Sequence, residues 1–141
     1  MPKLAASLAG LAVLALALPV RVDDAAERAS TVECLTLSSS AAPPPTRETI
    51  AVYERCRDLD PHDVVLLFDL ATLYEAVGDP RAEAAFRQVL TIDPAYAAAH
   101  VHLGWLRLRA GDVAAARSEV DRALALTING GAALALKKAL P

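Results

Sequence analysis

A chain of 141 residues, of which about 120 remain beyond its N-terminal stretch, has room for one modest domain and not for two. It is 55% hydrophobic but only 4% aromatic, and alanine and leucine supply most of that, a composition that suits close-packed helices better than a sheet and predicts an all-α fold. The 14 basic and 17 acidic residues are interspersed, with a net charge of −3, so no basic stripe is available for a phosphate backbone and a nucleic-acid partner is excluded.

Residues 1–20, MPKLAASLAGLAVLALALPV, join a cation at Lys3 to an unbroken apolar run from Leu4 to Leu18, the build of a secretory signal peptide. Ala15-Leu16-Ala17 has the small-x-small form of a cleavage site, although Leu18 and Pro19 follow it. The run is a few residues short of the roughly 20 that a membrane-crossing helix needs, and it contains Ser7 and Gly10. Export to the periplasm or the medium is therefore expected, with an uncleaved inner-membrane anchor as the alternative. No cysteine stands close behind the run, which excludes a lipoprotein anchor.

Residues 21–45 are polar and Pro-rich. RVDDAAERAS can begin a helix that continues through TVECLTL, because Ala26, Val32 and Leu35 share a broad face. SSSAAPPPT, Ser38 to Thr46, cannot be helical through three prolines. The helical domain is expected over residues 46–141.

From Thr46, a well-placed N-cap with Glu48 in the first turn, the chain divides into helices. RETIAVYERCRDLDP sets Thr49, Tyr53 and Cys56 on one face and ends at Asp60-Pro61. HDVVLLFDLATLYEAV ends at Gly78, free to take the left-handed conformation that closes helices. Asp79 then caps and Pro80 opens PRAEAAFRQVLTI, which stops at Asp93-Pro94. AYAAAHVHLGWLRLRA runs to Gly111, Asp112 caps VAAARSEVDRALALT, and after Asn129-Gly130-Gly131 comes one last short helix. The Asp-Pro and Gly-Asp pairs each recur after about 33 residues, the sign of stacked helical units.

These residues resemble the tetratricopeptide repeat, a helix-turn-helix unit of about 34 residues. The repeat at 62–94 supplies Leu67, Leu70, Ala71 and Tyr74 in its first helix, then Ala82, Phe86, Val89 and Pro94; the repeat at 95–128 supplies His100, Leu103 and Gly104, then Ala116, Val120 and Ala123. Tyr53, Cys56 and Pro61 fit the second helix of an earlier, degenerate repeat. Small residues at Ala71, Gly104, Ala82 and Ala116 let paired helices approach while Tyr74 and Phe86 fill the adjoining holes. The resemblance covers Thr46 to about Thr127 and implies a short right-handed α-solenoid of antiparallel helix pairs, two and a half units with a C-terminal capping helix. Arg107 stands where the pattern has an aromatic; its stem is expected to pack and its guanidinium to reach solvent. Ile128 replaces the final proline.

The resemblance further implies a concave groove lined by the first helix of each repeat. The matching positions are Val65, Phe68, Thr72 and Glu75 in one repeat, and Ala98, Val101, Trp105, Leu108 and Arg109 in the next. Arg109 is their one cation, so an acidic tail is a poor ligand and an apolar peptide or helix of a partner protein a better one. Alternatively Phe68 and Trp105 are covered by the chain's own segment Val22 to Pro45 or by a second copy. A membrane-held structural or assembly subunit is a further alternative.

Cys34 and Cys56 are an even pair in a chain expected to be exported, which favours a disulfide worth about 3 kcal/mol by loop closure over two inert thiols. The proline loop must then double back to bring their Cα atoms within about 7 Å. His100 and His102 lie two apart on a helix and point to different sides, so no metal site or cofactor is expected. Glu48, Asp58, Asp60 and Asp69 are scattered over charged faces without the pairing of a general acid and base, and no enzymatic activity is expected.

Overall fold

The computed structural model describes Cys34, Leu37, residues 44–127 and residues 130–141. The apolar run and most of the Pro-rich segment lie outside the described residues. Six helices follow one another, with no strand among the described residues: α1 (Arg47–Leu59), α2 (Val64–Ala76), α3 (Arg81–Ile92), α4 (Ala97–Arg109), α5 (Val113–Leu126) and α6 (Gly131–Ala139). No helix among them is long and apolar enough to cross a membrane.

Each helix starts and stops for a local chemical reason, and the reasons repeat. Thr46 Oγ1 accepts the Thr49 amide at 3.1 Å to open α1. Asp60 then closes it in an extended conformation that the following proline favours, and its side chain accepts the His62 amide at 3.1 Å. One repeat later Asp93 ends α3 in the same way and accepts the Ala95 amide at 2.9 Å. α2 begins on Asp63, whose carboxylate takes the amides of Val65 and Leu66, both at 3.0 Å. It ends at Gly78, φ 70°, where the Gly78 amide donates to the Glu75 carbonyl and the Asp79 amide to that of Tyr74. Gly111, φ 82°, closes α4 with the same two bonds, onto Leu108 and Arg107. A left-handed residue is required at both places, which is why glycine stands there.

The helices pair as α2 with α3 and α4 with α5; α1 packs on α2, α3 on α4, and α6 on both α5 and α4. Leu67, Leu70, Ala71 and Tyr74 of α2 are buried against Ala82, Phe86 and Val89 of α3, and Leu103 and Gly104 of α4 against Ala116, Val120 and Ala123 of α5. The solenoid expected from the period is the one observed. At Gly104 a Cβ would overlap the Leu136 side chain, so this glycine is what lets α6 lie directly on α4.

Cys34 and Cys56 form a disulfide with their Cα atoms 5.5 Å apart. Cys34 and Leu37 are helical residues that pack against the core of the first units. One period on from the two cysteines stand Leu67 and Val89, both fully buried, so the covalent bond occupies a place that apolar packing fills in the next unit. Leu37 is likewise in register with Leu70, Leu103 and Leu136, the last three buried.

Candidate functional site

The expected groove residues of α2 and α4 all escape full burial. On α2, Val65 is 48% exposed while Phe68, Thr72 and Glu75 are half-buried. On α4, Ala98 and Arg109 are exposed, and Val101, Trp105 and Leu108 are half-buried. Their spacing of three and four places each set along one side of its helix. Adjacent helices α3 and α5 take the opposite sides.

Phe68 differs from the others. Its ring lies 4.9 Å from Tyr96, 5.4 Å from His102 and 5.8 Å from Phe86, so part of it serves packing between successive units. Tyr96 and His102 are therefore site residues that the spacing argument did not name. His102 stacks on Phe86 at 4.9 Å and donates from Nδ1 to Glu75 Oε2 at 2.6 Å. The other oxygen of Glu75 accepts from Arg109. Glu75 on α2 thus bridges two side chains of α4, and Arg109 meets a carboxylate of its own chain.

His100 points the other way, into the core, at 5% exposure. It hydrogen-bonds through Nδ1 with Glu119 of α5 at 2.6 Å and through Nε2 with the Pro94 carbonyl at 3.1 Å. Among the described residues no three His, Cys, Asp or Glu side chains converge as metal ligands would. The Arg107 guanidinium, expected in solvent, instead donates to Glu83 of α3 at 2.6 Å. A long cation across a helix interface finds an acid when one lies within reach.

Asp69 lies beside Phe68 on α2 and is half-buried. Burial, with Asp63 nearby, holds its carboxyl above the ordinary aspartate range. Burial also raises the phenols of Tyr53 and Tyr96, and the Asp69 charge adds to both shifts.

Residues 80–140 match the family model described as Tetratricopeptide repeat. The chain is similar to the tetratricopeptide repeat over those residues. It is 35% identical over 75 residues to the tetratricopeptide repeat and J domain-containing co-chaperone DNJ1 of Fusarium oxysporum f. sp. lycopersici; the match covers 52% of this chain but only 14% of that protein. Among solved structures, the type III secretion translocator chaperone SycD of Yersinia enterocolitica superposes with a TM-score of 0.62 at 18% identity, over 84% of this chain and 82% of that one. SycD in complex with a peptide of the translocator YopD gives 0.59 at 19% identity, over 83% and 87%. The first tetratricopeptide domain of Spaghetti (RPAP3), bound to the HSP90 peptide SRMEEVD, gives 0.60 at 21% identity, over 81% and 88%. These likenesses are of fold.

In tetratricopeptide terms α2 and α4 are first helices of successive repeats, and the period carries one step further. Phe68 and Val101 are followed by Leu134, 48% exposed, and Thr72 and Trp105 by Lys138, also exposed. α6 is thus in the register of a third first helix and presents Leu134 and Lys138 at the groove positions, besides capping the stack. Leu70, Leu103 and Leu136 carry the signal for this in the sequence.

Proposed function

We propose that this chain is a non-enzymatic protein-interaction module of the cell envelope, taking an apolar peptide or helix of a partner protein along the first helices of its tetratricopeptide repeats. The observation that carries the reading is the half-buried row of Val101, Trp105 and Leu108 on α4, continued by Phe68 on α2. Apolar side chains in such a row contribute little to the free chain and gain much when a partner covers them. That SycD and the RPAP3 domain are solved with peptides supports the same use of the fold. The envelope location rests on the run Leu4 to Leu18.

Affinity capture from native envelope extract tests the reading, with the wild-type chain beside a Trp105→Ala, Leu108→Ser variant. Phe68 is left intact because it also packs on Phe86 and Tyr96. A protein recovered by wild type and lost from the equally helical variant is expected. Identical recovery from both baits places the contact elsewhere. The second reading, an anchored assembly subunit, is favoured by that same run if the chain is found intact in the membrane fraction.

A further inference from the structure

The described carboxylates are nearly all occupied. Asp63 caps α2, Asp93 holds its turn, Glu75 bridges His102 and Arg109, Glu54 accepts from Tyr74 and Arg81, Glu83 meets Arg87 and Arg107, and Glu119 meets His100 and Arg122. Glu48 and Asp121 have no such partner but are exposed and solvated. Asp69 alone among the described residues is a half-buried carboxylate with neither a hydrogen bond nor an ion pair. A partly desolvated, uncompensated charge is unfavourable in the free protein and is relieved by an incoming cation.

Its surroundings suit a cation. The Tyr96 phenol lies within reach of the Asp69 charge, and the Tyr96 ring is 4.9 Å from that of Phe68, so a pair of aromatic rings adjoins the carboxylate. Asp63 lies close by and brings no cation to it. A single carboxylate is too few ligands for a divalent metal, whereas one lysine or arginine needs only one. We propose that the groove's ligand is a protein segment that sets a lysine or arginine on Asp69, its cation against Phe68 and Tyr96 and its apolar side chains running on toward Val101 and Trp105. The inference rests on the groove reading above and names the charge its ligand carries.

A random dodecapeptide display library panned on the full chain, and in parallel on Asp69→Asn, Asp69→Glu and Trp105→Ala, tests it, with folding of each checked by circular dichroism. Peptides selected by wild type should share apolar anchors and one lysine or arginine at a fixed offset. Replacing that residue by glutamine should weaken binding to wild type about fivefold. The same replacement should change nothing on Asp69→Asn, while Asp69→Glu keeps the preference. An apolar consensus without a cation, or a cation preference unchanged in Asp69→Asn, overturns the inference and leaves the groove reading standing, provided Trp105→Ala weakens those peptides. If no peptide is enriched over an uncoated control on any of the proteins, both fall.

Discussion

The Tyr74 hydroxyl donates to Glu54 Oε1 at 2.7 Å while the Arg81 guanidinium sits 4.3 Å over the same ring. Burial, then the bond to Glu54, push this phenol up to about 12. An unfolded chain ionises its tyrosines near 10, so folding stability falls as pH rises from there toward 12, with Tyr53 and Tyr96 contributing in the same direction. Tyr74→Phe should cost about 1 kcal/mol at pH 7, yet its melting temperature should decline less steeply than that of wild type between pH 9 and 11. Glu54 behaves oppositely: the Tyr74 bond, ahead of Arg81, lowers its carboxyl. That stabilisation is present above the ordinary glutamate range and lost as pH falls through the lowered value. Asp69, raised by burial, disfavours the fold when charged. Asp69→Asn should therefore stabilise the protein at pH 7 by roughly a few tenths of a kcal/mol after solvent screening, and the gain should vanish in acid, where the wild-type side chain is neutral; melts at pH 3 and pH 7 check this.

α6 depends on one glycine. A methyl at Gly104 would raise the helix propensity of α4 by about 0.5–1 kcal/mol, but it would push Leu136, fully buried, out of its seat. Gly104→Ala should leave global stability nearly unchanged while hydrogen exchange of the α6 amides quickens about tenfold and that of α2 and α3 does not, a local opening in the sense of independent units. The helices themselves were legible in the sequence, because Asp-Pro and Gly-Asp pairs mark their ends by backbone chemistry that needs no knowledge of tertiary contacts. The small residues Ala71, Gly104, Ala82 and Ala116 gave the pairing in the same way. Less legible was what each groove side chain touches. Spacing shows that Phe68 and Glu75 share a face, but whether Phe68 leans on Tyr96, or Glu75 reaches His102 and Arg109, depends on how two helices of different repeats are set against each other. In the sequence Asp69 is one charge among four on polar faces for the same reason: partnership is a property of space, not of composition. The groove position of α6 is written in the period, but the short Gly131–Ala139 helix looks from its sequence like a cap.

At the scale of the whole molecule each unit contacts its neighbours, so stability is shared along the stack and the ends are its weakest parts. The Cys34–Cys56 bond secures one end with a separation of 22 residues. Reduction, or Cys56→Ser, should lower unfolding stability by about 3 kcal/mol, read by urea titration with and without a reducing agent. Glu75, holding His102 and Arg109, ties the middle repeats through side chains alone. Under mechanical load the disulfide has a different meaning. The 22-residue loop between the two sulfurs cannot be drawn out, which shortens the fully stretched oxidised chain by about 75 Å relative to the reduced one at ~3.4 Å per residue. Tension arriving from the N-terminal side would pass through the sulfurs and enter the array at Cys56, a few residues before the Asp60-Pro61 turn. The first element to feel the pull would be α2, and most of α1 would be shielded from it.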